Sequence, residues 1–343
     1  MYRSIKLLAV LLFVSRFGSQ AEGRQFTLEV EVPAVSFDVS VVDQRGRPVK
    51  DLRPGDFEVL ENGIPQQIRY FGESAQPNPY HVYLLFDSSG STSNQWDLLE
   101  NAVRGFVELA KPEDRLSAGT FGSFLRPLDD WEGPDETRVT ERLVPEEQHV
   151  ESGRSTQFYR AVGEAISQVY GQIAERRALV VLTDGRDSAL FRETLRRGRA
   201  LPSSEDFAYL ELYEMARSSQ VPVYFIAINT DRNLAFNQDG TDEYKQLRNL
   251  FRNSSVSHDY LRQVRYRMEQ IAEASGGQVL FPENIGDVMR FAAEIGKSLS
   301  DGYSLGYIPG PAKPGEGVRR ISVHVRGHGR LRIRYSQHEY DPR

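Results

Sequence analysis

Hydrophobic and polar positions divide the chain into three stretches with different periods. Between residues 26 and 71 the apolar positions repeat every second residue. Phe26, Leu28, Val30 and Val32 alternate with polar neighbours, as do Val35, Phe37, Val39 and Val41, which is the period of a half-buried strand. Gly46, Pro48 and Pro54-Gly55 mark turns, and Asn62-Gly63 after Phe57-Glu58-Val59-Leu60 predicts a hairpin returning through Ile68 and Tyr70. Ala75 to Pro79 (AQPNP) reads as a short linker.

From residue 81 short, continuous apolar runs replace the alternation: Val82–Phe86, Leu116–Phe121, Ala178–Leu182, Val223–Ile228 and Gln278–Phe281. Between them lie helical patterns, with Leu98, Ala102, Val103, Phe106, Val107 and Ala110 on one stripe and Leu261, Val264, Met268, Ile271 and Ala272 on another. Strands that are apolar on both faces, separated by amphipathic helices, predict a doubly wound, mostly parallel, Rossmann-like α/β domain ending in a helix near 285–300. After Asp301-Gly302 the period of two returns. Ile321, Val323 and Val325 alternate with Ser322, His324 and Arg326, and a turn through Gly327-His-Gly329 leads to Leu331, Ile333 and Tyr335. The arginines between these apolar positions, Arg332 and Arg334, fit a solvated strand face better than a nucleic-acid patch. Two β segments this small need a partner to be stable. The α/β domain is therefore expected to be inserted into a small β-sandwich that the N- and C-terminal strands form together. The expected divisions are 1–21, 22–77, 78–302 and 303–343.

Residues 1–21 read as an export signal. Arg3 and Lys6 form a basic start, Leu7 to Val14 is wholly apolar, and Ser19-Gln20-Ala21 offers a small-x-small cleavage site. The run is shorter than the roughly 20 residues that span a bilayer, so no transmembrane anchor is expected in the mature chain, and the destination is the periplasm or the exterior. With no cysteine, a disulfide framework, a thiolate metal site and a lipidated cysteine are all excluded. Residues 1–21 hold three basic and no acidic residues; without them 39 basic side chains face 48 acidic ones, a net charge of −9. That sign argues against nucleic acid and against anionic membranes as partners.

The candidate chemistry sits where strands end. Val82–Phe86 runs into Asp87-Ser88-Ser89-Gly90-Ser91, and Ala178–Thr183 into Asp184-Gly185. Gly153-Arg154-Ser155-Thr156 adds a hydroxyl just before another helix. The C-terminal edge of a doubly wound sheet is where ligands bind. Asp and Ser before a helix are ordinary caps, and Asp-Gly after a strand is an ordinary turn. Their joint placement at one sheet edge is what points to a site. Two carboxylates (Asp87, Asp184) and three hydroxyls (Ser89, Ser91, Thr156) make a hard, all-oxygen donor set that suits Mg²⁺ with retained waters, with Mn²⁺ and Ca²⁺ as alternatives. Such an ion is left near neutral in total charge and still wants one more anion. Asn237-x-Asp239-Gly240, in the polar stretch 230–257, lacks the rest of a calcium loop.

Asp87-x-Ser89-x-Ser91, Thr156 and Thr183-Asp184-Gly185 match in order and spacing the metal-ion-dependent adhesion site of von Willebrand factor A domains, a resemblance that extends over residues 81–300. The flanks Asp43-x-x-Gly46-x-Pro48-Val49-x-Asp51-Leu52, Asp56-Phe57-x-Val59-x-Glu61-x-Gly63 and Tyr303-x-Leu305-Gly306-Tyr307-x-Pro309 resemble a family of secreted bacterial von Willebrand factor A-related proteins first defined in Acidobacteria. The resemblance implies that Asp87, Ser89, Ser91 and Thr156 lie nearest the metal, with Asp184 often acting through water. It also implies that a protein ligand's Asp or Glu completes the coordination, and that the chain is a non-enzymatic adhesion or protein-binding module. Ser155 departs from the glycine common before the threonine. The rival reading, a Mg²⁺-dependent phosphatase of the haloacid dehalogenase type, wants a second Asp where Ser89 stands, and a hydroxyl does not do that proton transfer near neutral pH. An intracellular scaffold or chelatase-type subunit is disfavoured by the leader.

Overall fold

The computed structural model describes residues 3–9, 28–44, 47–73, 79–89, 92, 96–127, 131, 133–134, 155–171, 173, 176–230, 255–327 and 329–342. Its first strands are β1 (Arg3–Ala9), β2 (Leu28–Val42), β3 (Phe57–Glu61), β4 (Ile64–Gln66) and β5 (Ile68–Glu73). The α/β unit follows with β6 (Tyr80–Asp87), α1 (Trp96–Leu109), β7 (Arg115–Phe121), β8 (Leu125–Pro127), α2 (Phe158–Glu164) and β9 (Arg176–Thr183). It continues through α3 (Ser188–Arg197), α4 (Phe207–Ser218), β10 (Val223–Ala227), α5 (Ser255–Ser275), β11 (Val279–Leu280) and α6 (Ile285–Ser300). The chain closes with β12 (Tyr303–Tyr307), β13 (Arg319–Val325), β14 (Arg332–Tyr335) and β15 (Glu339–Tyr340).

The α/β sheet has the order β11-β10-β9-β6-β7-β8, parallel throughout except for the edge pair β7/β8. Its strands are the continuous apolar runs, and the reason is two-sided burial. Tyr83, Leu85, Leu179, Val181 and Phe225 face α2, α4 and α5, meeting Phe158, Leu212, Val264 and Met268. Their neighbours Leu84, Phe86, Val180, Leu182 and Ile226 face α1 and α6, meeting Val103, Phe106, Ala292 and Ile295. Three helices start on side-chain caps: Asp187 for α3, Asp206 for α4 and Asn284 for α6. Because β7 follows β6 on one side and β9 joins it on the other, the winding reverses between β6 and β9, the kind of switch point at whose C-terminal ends ligands bind in doubly wound sheets.

Two further sheets make the sandwich. One runs β1-β2-β12-β5 with β14 also on β2, the other β15-β13-β3-β4. Val35, Phe37, Val39 and Val41 of the first meet Val59, Ile321 and Val323 of the second, together with Tyr303, Leu305 and Tyr307. Strand β12 lies between β2 and β5, so the N-terminal sheet is completed only by residues beyond the α/β unit. The expected insertion is therefore the architecture observed. A buried polar knot joins the two ends of the chain: Glu61 accepts hydrogen bonds from Arg319 at 3.0 Å, from Tyr307 at 2.7 Å and from Tyr340. Arg176 ties the two units together, stacking over Tyr80 at 3.9 Å and reaching Asp38 at 3.1 Å and the Leu299 carbonyl at 3.2 Å.

One strand expectation is corrected and two are made specific. The two alternating stretches before residue 42 are one strand, β2, whose pattern slips by one at Pro33-Ala34, where pairing passes from β1 to β12. The hairpin at Asn62-Gly63 (φ 49° and 80°) returns through Ile64–Gln66, not through Ile68 and Tyr70, which belong to β5 in the opposite sheet. A two-residue turn of this kind pairs the strand that immediately follows it. Likewise β13 pairs β3 and β15 while β14 pairs β2, so the turn after Val325 carries the chain between sheets. Within the expected leader, Arg3–Ala9 forms β1 against Leu28–Ala34. Among the described residues no helix is long and apolar enough to cross a membrane. Phe26, Ala75–Asn78 and Asn237–Gly240 lie outside the described residues.

Candidate metal centre

Asp87 is the last residue of β6, and its local geometry follows from the D-x-S turn. Its Oδ1 accepts the Ser89 backbone N–H at 3.0 Å, an Asx turn that lifts the chain out of the sheet. The Thr92 hydroxyl closes the loop, donating to the Asp87 carbonyl at 2.6 Å and lying 3.3 Å from the Ser89 hydroxyl. On the neighbouring strand the Thr183 hydroxyl donates to Asp87 Oδ2 at 2.6 Å and accepts the Gly185 N–H at 2.9 Å. Gly185 makes the next bend at φ +71°, a backbone conformation that favours glycine, and a Cβ there would stand 2.5 Å from the Met268 sulfur, which would have to shift.

Thr156 enters from the opposite side. Gln157 N–H bonds the Gly122 carbonyl at 2.9 Å, just past β7, and Thr156 exchanges bonds with Ser188 at the head of α3: its N–H meets the Ser188 hydroxyl at 2.8 Å, its carbonyl the Ser188 N–H at 3.0 Å. Both backbone groups are thereby held, and the Thr156 hydroxyl makes no hydrogen bond among the described residues. Asp87, Ser89, Thr156 and Asp184 are all buried and share the C-terminal edge at the switch point. Ser91, with Gly90, Gly153 and Arg154, lies outside the described residues.

Electrostatically the edge is strained by two carboxylates. Burial, then the charge of Asp184, pushes the Asp87 carboxyl up to about 7, against the hydrogen bonds from Thr183 and Ser89. Asp184 is 1% exposed. Its Oδ1 accepts the Arg186 N–H at 3.0 Å, whereas its buried Oδ2 accepts no hydrogen bond and lies 3.4 Å from Arg186 Nη1. Two buried carboxyls at adjacent strand ends, one of which resists ionisation, make an edge that suits a cation. The donor set is of the kind a hard divalent ion takes, oxygen only, with two carboxylates and hydroxyls; among the described residues there is no group of three or more His, Cys, Asp or Glu side chains that could hold a metal ion.

Thr183, Thr92, Ser188 and Arg186 were not singled out as site residues by sequence reasoning. Thr183 and Arg186 flank the Asp184-Gly185 turn, so the T-D-G-R string held the signal. Thr92 and Ser188 act by contacts that no spacing rule encodes. From Thr156 a groove of about 670 Å³ runs between α2, α3 and α4, past Arg160, Gly163, Arg192, Leu212 and Met215.

No protein-family model matches the chain, and no curated protein does. Solved structures do. A von Willebrand factor type A protein from Catenulispora acidiphila is 10% identical at a TM-score of 0.44, covering 84% of this chain and 72% of that one. The conserved hypothetical protein BatB from Bacteroides thetaiotaomicron is 15% identical at 0.44, covering 64% and 98%. The pilus adhesin SpaC from Lactobacillus rhamnosus GG is 10% identical at 0.43, covering 74% and 36%. The α/β unit itself is a doubly wound sheet with helices on both faces, and its D-x-S and T-D-G turns stand side by side at the switch point.

Proposed function

We propose that this chain is an exported protein-binding module that takes one divalent cation, Mg²⁺ in the first instance, at the C-terminal edge of its parallel sheet. Asp87, Ser89 and Thr156 hold the ion together with Ser91, and Asp184 supports it directly or through water. A ligand protein's Asp or Glu side chain completes the coordination. The observation that carries this reading is the buried pair Asp87 and Asp184 at adjacent strand ends, with the Thr183 hydroxyl linking their two turns. Two buried carboxylates of like charge are costly in an empty edge and become favourable once a cation joins them.

The reading is one of binding because hydroxyls, not further acids or histidines, accompany the pair. When bound, the ion supplies a Lewis-acidic position for an incoming carboxylate; the protein's part is to aim oxygens at it and keep water sparse. Export is supported by the basic start, the apolar run and Ser19-Gln20-Ala21. Isothermal titration of the full chain with Mg²⁺ and Mn²⁺ tests the core of the proposal, wild type against Thr156→Ala. Single-site binding in wild type, weakened at least tenfold in the variant, is expected. Absence of binding in wild type refutes it.

A further inference from the structure

On the flank of the α/β unit, the groove of about 670 Å³ between α2, α3 and α4 has the size of a ligand cleft, which runs from roughly 300 to 1,000 Å³. Its apolar floor is made by Leu212 and Met215 of α4 and by Gly163 of α2. Gly163 lies buried inside a helix, where alanine is the better residue. Its φ is not positive, and a Cβ there would meet the Met215 sulfur at 3.6 Å and Leu212 Cδ1 at 3.9 Å, ordinary contacts both. Neither the backbone nor packing within the chain calls for glycine at this place. What the missing side chain leaves is room in the groove. The same wall is irregular: α2 passes directly into a π turn, Ala165–Val169, and the Ser167 hydroxyl donates back to the Gly163 carbonyl at 2.9 Å. Single π turns within helices are frequent at functional sites. Five charged residues line the groove, two cations and three anions. Arg160 pairs with Glu164 at 2.7 Å, and Asp187 accepts the N–H groups of Ala189 and Leu190 that open α3. The other two, Arg192 on α3 and Glu211 on α4, are exposed and have no ion-pair or hydrogen-bond partner among the described residues.

We propose that this groove is a peptide-docking site whose occupant is an extended segment of a partner protein carrying an acidic, an apolar and a basic residue close together. The apolar side chain fills the space beside Gly163 and packs on Leu212 and Met215. The segment's carboxylate meets Arg192 on one wall, and its ammonium or guanidinium meets Glu211 on the other. An extended backbone brings such groups within reach of both walls, because successive side chains lie about 3.3 Å apart and point to alternate sides. Met215 suits the task, since an unbranched thioether adapts its shape to what is laid against it. Nucleic acid and anionic membranes are the wrong chemistry, with three anions beside two cations on the lining. A purely apolar molecule would leave both unpaired charges unused. The site goes beyond the cation reading and needs no metal.

The test starts from a displayed library of random linear peptides, selected in chelator on the immobilised full chain. Enriched sequences should carry an acid, a residue the size of leucine or methionine and a base within a few positions of one another. Synthetic copies of those peptides are then titrated by fluorescence polarisation against wild type, Gly163→Ala, Gly163→Leu and Arg192→Glu. Gly163→Ala is expected to melt higher than wild type, alanine being the better helix former, and yet to bind the peptides more weakly. Gly163→Leu, which fills the floor, should weaken them at least about tenfold. Arg192→Glu should weaken them by about three- to fivefold, and changing the peptide's acid to lysine should recover binding to that variant alone. A library that enriches nothing overturns the proposal. So do peptides that bind Gly163→Leu as tightly as wild type, or a charge swap that recovers nothing. If Gly163→Leu does not fold, Gly163→Ala makes the same comparison. Failure of the cation reading is distinguishable, because it would appear as wild type that binds no Mg²⁺ while peptide binding stands.

Discussion

Replacing Asp87 with asparagine removes one negative charge from a buried edge while keeping the side chain's shape. In the metal-free chain the carboxyl is pushed from 3.8 to about 7, first by burial and then by Asp184. A folded-state value above the unfolded one means that the folded chain holds the proton longer. Stability is therefore unaffected below about pH 4, falls as pH rises towards 7, and stays low above it. At 1.36 kcal/mol for each pH unit between the two values, the ceiling on this loss is about 4 kcal/mol. The Asp87→Asn variant carries no such loss, although it exchanges the charged acceptor of the Thr183 and Ser89 hydrogen bonds for a neutral one. The shift already includes those bonds, so Asp87→Asn should be more stable than wild type by up to about 4 kcal/mol at pH 8 in chelator, and equal to it near pH 4. Mg²⁺ then reverses the balance. At 100 times its dissociation constant it stabilises wild type by about 2.7 kcal/mol and should leave Asp87→Asn unmoved. The assay is thermal melting of both proteins from pH 4 to 8, with chelator or with Mg²⁺. A variant less stable than wild type in chelator at pH 8, or one that gains as much from Mg²⁺, would refute the reasoning.

Other consequences follow from the packing. Gly185→Ala places a Cβ 2.5 Å from the Met268 sulfur at φ +71°, so a loss of about 2–4 kcal/mol and weaker Mg²⁺ binding are expected, read by melting and titration. Arg267→Met removes a fully buried guanidinium that bonds Asp206 at 2.6 Å, Tyr159 at 3.0 Å and the Leu201 carbonyl at 2.7 Å. Leaving Asp206 unpaired should cost about 3–5 kcal/mol in chemical denaturation, and a change under about 1 would show that the pair is not a structural clamp. A fragment of residues 78–302 should fold and bind Mg²⁺ by itself, whereas residues 24–76 alone, lacking β12 as a neighbour for β2 and β5, should give no cooperative melt. If the proposed leader is removed on export, N-terminal sequencing of protein recovered from the periplasm or medium should start near Glu22, and retention of Met1 would count against export.

The α/β class was legible because two-sided burial writes itself into composition. Val82–Phe86 and Ala178–Leu182 have no polar face to spare, and α1 and α5 carry their buried residues at helical spacing. That Asp87, Ser89, Thr156 and Asp184 gather at one edge was legible for a related reason: a sheet edge collects whatever ends its strands, so position along the chain implies position in space. What spacing could not decide was which strand meets which. Ile68 and Tyr70 alternate as a hairpin return would, yet they pair with β12, more than 230 residues later, because pairing is settled by the core that both sheets share. The same limit hid Arg186. Its charge is plain in the sequence, but its bond to the Asn229 carbonyl, delivered from beyond another strand, and its place beside Asp184 are set by the fold. Local pattern determined the elements and the sheet edge at which the candidate residues gather; the sheet pairing and the contacts around that edge join distant residues, and only the folded chain makes them.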